Sequence, residues 1–150
     1  MEHRPFHIAT PVTDLDKARY FYVKVLGAAE ARSTLDWVDF DLWGNSVSCY
    51  LHPGEANRDI PTNHVDVTDA PKHIPVRHFG IILHKNEWET LVKDLQGKGI
   101  EFTIGPLIRF KGRNGEQGTI YMNDGCGNVV EFKYYKDPTT MFTPFEDDYR

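Results

Sequence analysis

The sequence predicts an α+β fold built from two copies of one βαβββ module. Three observations carry that reading. His7 opens an apolar run, HIATPV, and Leu26-Gly27 follows about twenty residues later; His78 opens HFGIIL, and Gly97-Lys98-Gly99 follows at about the same distance. Each half closes on a Gly-Asn pair before a strand-like run, Gly44-Asn45 before SVSCYL and Gly127-Asn128 before VVEFKYY. Between these landmarks each half holds one stretch of helical periodicity.

In the first half, His7–Pro11 reads as a strand. Thr13 is followed three residues later by Asp16, close to the capping-box pattern, so Thr13 is the expected N-cap of a helix from Lys17 to Val25. Ala18, Phe21, Tyr22 and Val25 recur at helical spacing and form its apolar stripe, and Gly27 ends it. Glu30–Thr34, Trp37–Leu42 and Val47–His52 are three short strands, the last two joined by a Gly44-Asn45 turn. In the second half, Val76–Leu83 is a strand and Asn86 is the expected N-cap of a helix over Glu87–Gln96. Trp88, Leu91, Val92 and Leu95 are its stripe, and Gly97 or Gly99 stops it. Phe102–Leu107 is a strand or a run broken at Pro106, and Gly118–Asn123 and Asn128–Tyr135 are the last two strands.

At 150 residues the chain is one domain, or two tightly joined half-domains. The expected segments are a first module over 5–53, a connector over 54–75, a second module over 76–137 and a docked tail over 138–150, whose Met141, Phe142, Phe145 and Tyr149 need a surface to pack on. A content of 40% hydrophobic and 13% aromatic residues supports a real core and excludes a disordered chain. The net charge is -5 and the Lys and Arg residues are scattered, so no nucleic-acid footprint is present. No stretch has the length and apolarity of a membrane span, and MEHRPFH lacks a signal-peptide core, so a cytoplasmic protein without a membrane partner is expected. Cys49 and Cys126 are expected to be free thiols, because a domain of this size needs no disulfide staple.

The repeat also carries chemistry. His7 and His78 open equivalent strands, and Glu131 lies inside the last one, sharing a face with Lys133 and Tyr135. A lone strand His is ordinarily a structural residue. A Glu within VVEFKYY is different, because a buried carboxylate is costly unless paired or metal-bound. Two His and one carboxylate on rigid strands make a three-ligand metal set, which leaves coordination positions open for substrate and a second reactant. His64 and His73 in the connector read as solvent-exposed residues, and His3 and His84 carry no role.

These residues resemble the vicinal oxygen chelate superfamily, also called the glyoxalase/bleomycin-resistance/dioxygenase superfamily. The likeness rests on HIATPVTDLDKARYFYVKVLG, RHFGIIL and YMNDGCGNVVEFKYY, and covers His7 to about Asp137. It implies paired βαβββ modules forming a cup-shaped mixed sheet around one divalent metal per chain, with His7, His78 and Glu131 as ligands. It implies a small-molecule substrate bound through two vicinal oxygens, and a homodimer. Tyr121, Asp124, Gly127 and Glu131 follow the order of the extradiol dioxygenase motif, with Gly125 where that motif prefers Pro. The chain is most similar to the short, single-domain predicted extradiol-type dioxygenases, in which Tyr121 would donate a hydrogen bond to a metal-bound substrate oxygen. The His that this motif expects before the Tyr is absent from Gly112-Arg113-Asn114, and His52 is the best counterpart of the family's proton-handling His. Arg109 and Lys111 are candidates to hold a substrate carboxylate. Ser48, Tyr50 and Tyr135, on predicted strands, are the further substrate-binding candidates that the resemblance implies.

Glyoxalase-type relatives use a fourth ligand at the first-half counterpart of Glu131. Counted from the Gly-Asn pairs, that position is Ser48, which is not a carboxylate. The resemblance therefore implies a three-ligand site favouring Fe(II), with manganese, nickel and zinc as alternatives. The expected activity is extradiol-type dioxygenation of a catecholic substrate. The alternatives are a glyoxalase-type lyase, isomerase or thiol transferase, and a non-catalytic binding protein of the bleomycin-resistance kind.

Overall fold

A computed structural model describes residues 4–63 and 73–144. The strands are β1 (His7–Val12), β2 (Ala29–Ser33), β3 (Trp37–Leu42), β4 (Asn45–Leu51), β5 (Phe79–Ile82), β6 (Ile104–Arg109), β7 (Gln117–Asn123) and β8 (Val129–Tyr135). The helices are α1 (Leu15–Arg19), α2 (Pro53–Ala56) and α3 (Lys85–Gly97). They form two four-stranded mixed sheets of the same topology, β1-β4-β3-β2 and β5-β8-β7-β6. In each, the first strand runs parallel to the last, and β2–β3, β3–β4 and β6–β7 pair antiparallel. The chain divides into two compact units, 1–59 with 123–128 and 60–122 with 129–150. No helix among the described residues is long and apolar enough to cross a membrane.

In the first unit the predicted stripe is the core. Ala18, Phe21, Tyr22 and Val25 are buried with Val38, Phe40, Leu42, Val47 and Cys49. Tyr22 stacks on Phe40 with ring centroids 4.9 Å apart. Burying one such side chain is worth roughly 1.5–3 kcal/mol. The helix differs from expectation in two ways. Asp14, not Thr13, is the N-cap: its carboxylate accepts from the Asp16 and Lys17 N–H groups. Beyond Arg19 the helix widens into π-helical turns over Tyr20–Val25, with the Leu26 N–H reaching back five residues to the Phe21 carbonyl at 3.0 Å. The β3–β4 turn centres on Trp43-Gly44, both with positive φ, rather than on Gly44-Asn45. Asn45 begins β4 and donates its side-chain amide to the Trp43 carbonyl.

The connecting turn of β7 and β8, Asn123–Asn128, belongs to this unit. Asp124 is buried and accepts from the Tyr22 hydroxyl, the Cys126 and Asn128 N–H groups and the Asn128 amide. Asn128 also bonds Thr10 and the Pro11 carbonyl. A Cβ on Gly127 would stand 1.8 Å from the Ala56 carbonyl oxygen, so the turn admits only glycine there.

In the second unit Trp88, Val92 and Leu95 bury the inner face of α3, and Trp88 donates its indole N–H to the Phe132 carbonyl at 2.9 Å. His84 is the N-cap instead of Asn86; Glu87 reaches back to its N–H at 2.9 Å, giving one half of a capping box. Strand β5 is shorter than Val76–Leu83, because Val76 pairs its N–H with the Pro61 carbonyl and leaves the sheet register to begin at Phe79. Both cysteines are free and buried. Of the tail, Pro138–Thr140 forms a 3-10 turn, the Thr140 hydroxyl accepts from the Gly115 N–H, and Phe142 is exposed. Phe145 and Tyr149, and His3 and His64, lie outside the described residues.

Candidate metal and substrate site

The chemistry of the second unit gathers on one face of β7 and β8. Alternation along β8 puts Val130, Phe132 and Tyr134 in the core and leaves Glu131, Lys133 and Tyr135 on the opposite side. Glu131 is nonetheless buried. Its Oε1 accepts from the Thr119 hydroxyl at 2.6 Å. Its Oε2 lies 3.4 Å from His78 Nε2 and 3.3 Å from Lys133 Nζ. Burial opposes its ionisation, but hydrogen bonds from His78, Thr119 and Tyr121 and the charge of Lys133 prevail and hold its pKa down to about 2. It is therefore a carboxylate at any neutral pH.

His78 stands immediately before β5. Its Nδ1 lies 2.5 Å from the Pro75 carbonyl, which can only accept, so Nδ1 carries a proton and Nε2 is the nitrogen turned to Glu131. The hydrogen bond to Glu131 raises its pKa, against the effect of burial. Its ring meets Tyr121 edge-on at 5.2 Å. Burial and the neighbouring charge of Glu131 push the Tyr121 phenol up, so it is a hydrogen-bond donor and not a phenolate. Gly80, opposite Glu131 in the register, allows the approach: a Cβ there would stand 1.6 Å from the Glu131 carbonyl oxygen.

The pair fits a divalent cation. A separation of 3.4 Å is shorter than two metal–ligand bonds of about 2.1 Å laid end to end, so one ion can touch both atoms. The Nδ1–carbonyl bond is the support that fixes a metal-ligating imidazole in one tautomer. His78 and Glu131 are a pair, and among the described residues no group of three or more His, Cys, Asp or Glu side chains is placed to hold an ion. His7 lies in the first unit, exposed, with Nδ1 3.0 Å from the Ser46 hydroxyl, so Nε2 is its remaining nitrogen.

The other candidates are spread over both units. Arg109 ends β6 with its guanidinium 4.8 Å from the Phe110 ring, and its buried Nε–H has no hydrogen-bond partner among the described residues. Lys111 is exposed in the following loop, and Tyr135 is half-buried near the end of β8. In the first unit His52 is the N-cap of α2, where Nδ1 accepts from the Glu55 N–H at 3.3 Å. Tyr50 is half-exposed beside Trp37, with ring centroids 6.3 Å apart. His73 has positive φ and is exposed. Ser48 is buried and donates its hydroxyl to Asp39, whose other oxygen is 3.0 Å from Arg32.

Asp39 was missed in the sequence. The hairpin register that pairs Leu42 with Asn45 also pairs Asp39 with Ser48, so counting outward from Trp43-Gly44 would have found it. It puts a carboxylate next to the position at which the first half has none on β4.

Comparisons with known proteins agree with this architecture. A crystal structure of a glyoxalase/bleomycin resistance protein/dioxygenase from Alicyclobacillus acidocaldarius is 34% identical, with a TM-score of 0.74, over 93% of this chain and 96% of that one. A fosfomycin resistance protein from Listeria monocytogenes, at 18% identity and TM-score 0.64, matches over 94% of this chain and 99% of that one. Lactoylglutathione lyase from Agrobacterium tumefaciens, at 20% identity and TM-score 0.59, matches over 89% and 94%. These last two share the fold. A search of curated proteins by sequence gave no match. Residues 4–132 match the family model itself, and the chain belongs to the Glyoxalase/Bleomycin resistance protein/Dioxygenase superfamily.

Proposed function

We propose that the protein is a metal-dependent enzyme acting on a small substrate with two vicinal oxygens, and that its chemistry is extradiol-type dioxygenation at Fe(II). The observation that carries the reading is the His78–Glu131 pair, 3.4 Å apart, with the imidazole oriented by the Pro75 carbonyl. His7, at the equivalent place in the first half, is the third ligand of this reading. A bound ferrous ion would supply electron transfer between substrate and dioxygen.

The chain's own residues have separate tasks. Thr119 fixes one oxygen of Glu131 and so orients the carboxylate. Tyr121, kept protonated, donates to a substrate oxygen. Arg109 offers its unpartnered Nε–H to a substrate carboxylate. Ser48, bonded to Asp39, is not a ligand, which supports three ligands over four.

One observation favours a second reading. Asp39 is a buried carboxylate beside Ser48 and would suit a proton-transferring lyase or isomerase. The test is metal content after anaerobic loading, followed by oxygen uptake with a catechol panel. About one iron per chain, lost in His78→Ala, with catechol-dependent oxygen uptake, is the expected result. Iron excluded in favour of nickel or zinc, with activity lost in Asp39→Asn, would transfer the assignment to the second reading. No metal in the wild type would leave a small-molecule-binding protein. A homodimer belongs to the same proposal; sedimentation of a chain truncated after Asp137 tests whether the tail supports it.

A further inference from the structure

Lys133 is the unexpected neighbour of the carboxylate. It is two residues from Glu131 on the same strand, so both side chains leave β8 on one face. Its Nζ is 3.3 Å from the very oxygen that faces His78. With Thr119 on Oε1, each oxygen of Glu131 already has a partner. The ammonium is partly solvated, since the Lys133 side chain is 26% exposed while that of Glu131 is only 6% exposed. A lysine of this kind can leave the carboxylate for water at small cost, whereas the carboxylate cannot follow it.

Resting on the metal reading above, we infer that Lys133 is a resident counter-cation that competes with a divalent ion for Glu131, and thereby sets the metal affinity of the site. A buried carboxylate without a cation is costly, so the fold supplies one from its own strand. The same charge then acts against any second cation at the same oxygen. Two unit charges a few ångströms apart interact appreciably even when partly solvated. Lysine suits the task better than arginine would. Its single ammonium sits on one oxygen as a point charge, and it does not clamp both oxygens as a guanidinium fork does.

The test is Mn(II) affinity, read from the electron paramagnetic resonance of the free ion, in wild type, Lys133→Met and Lys133→Gln, each with and without His78→Ala. Both Lys133 variants should bind Mn(II) on the order of tenfold more tightly than wild type, as expected for removal of one nearby positive charge. Far-ultraviolet circular dichroism confirms that the variants fold, and two different replacements guard against one that does not. Unchanged or weaker Mn(II) binding in both variants, with binding still abolished by His78→Ala, would overturn the role of Lys133 and leave the metal site standing. Mn(II) binding that survives His78→Ala would instead remove the ligand set, and this inference with it. A lysine that served only to hold the fold would lower stability on replacement and leave affinity where it was.

Discussion

In the first unit, Ser48 of β4 lies opposite Ala9 of β1; in the second, Glu131 of β8 lies opposite Gly80 of β5. The strand order is the same, the parallel pairing is the same, and a histidine stands two residues before each of Ala9 and Gly80. Yet the first unit's acid stands on the neighbouring strand, as Asp39, where Ser48 and Arg32 hold it. The second unit keeps its acid on the last strand among Thr119, His78 and Lys133. The hairpins differ too: Trp43-Gly44 turns tightly at the surface, while Asp124–Asn128 is a longer turn folded into the first unit's core. The repeat conserves the frame, which burial demands, and lets the polar positions diverge.

The comparison is easiest to break at the glycine. Gly80→Ala must push β5 off β8, and a loss of about 3 kcal/mol or more in chemical denaturation is expected, whereas the reverse change, Ala9→Gly, should cost about 1 kcal/mol. Equal costs would show that the two parallel pairings are not differently crowded.

Asp124→Ala removes the acceptor of four donors and should cost about 3 kcal/mol. The pH dependence sharpens this. Burial raises the Asp124 pKa despite its hydrogen bonds from Asn128, Cys126 and Tyr22. A raised acid binds its proton more tightly in the folded state. Its contribution is thus complete below the unfolded value of about 3.9 and declines as pH rises through the folded value. Denaturation midpoints of Asp124→Asn across that window should lack this decline, and an unaltered profile would remove Asp124 as its source.

Converting one unit toward the other is the next test. Ser48→Glu would bury a second carboxylate against Asp39, and a loss of about 2 kcal/mol in thermal or chemical unfolding is expected. A stable variant with an added metal affinity would mean that the first unit accepts a ligand at that position. The smallest effect is at the hairpin: Trp43 adopts φ 48°, a conformation that Asn tolerates better, so Trp43→Asn should gain about 0.5 kcal/mol. A loss would show that the indole packing outweighs its backbone strain.

Much of the fold was legible because burial writes a period into the chain. The stripe Ala18-Phe21-Tyr22-Val25 is core as read, and of Trp88, Leu91, Val92 and Leu95 all but the half-buried Leu91 are; eight strands form in the expected order, with β5 shorter and β6 displaced by two residues from Phe102–Leu107. Caps were misplaced by one or two residues, because Thr13 and Asp14, or His84 and Asn86, differ only in backbone geometry. The π-helical turns left no signal in side-chain type. His78 and Glu131 could be found because each opens or ends a motif. The partners of Glu131 across β7, and the Asp39–Ser48 pair, depend on strand register, which needs two segments at once.

The Asn123–Asn128 turn also bears on how the chain is made. The hydrogen bonds that seal the first unit join Tyr22 to Asp124, Thr10 to Asn128 and Asn128 to the Pro11 carbonyl, across 102, 118 and 117 positions. Local contacts can form as the chain leaves the ribosome, at roughly 5–20 residues each second, but these must wait until Asp124 and Asn128 have been made. The first unit therefore stays incomplete, with Tyr22, Thr10 and Pro11 lacking their partners in that turn, until a segment about a hundred residues further along has emerged.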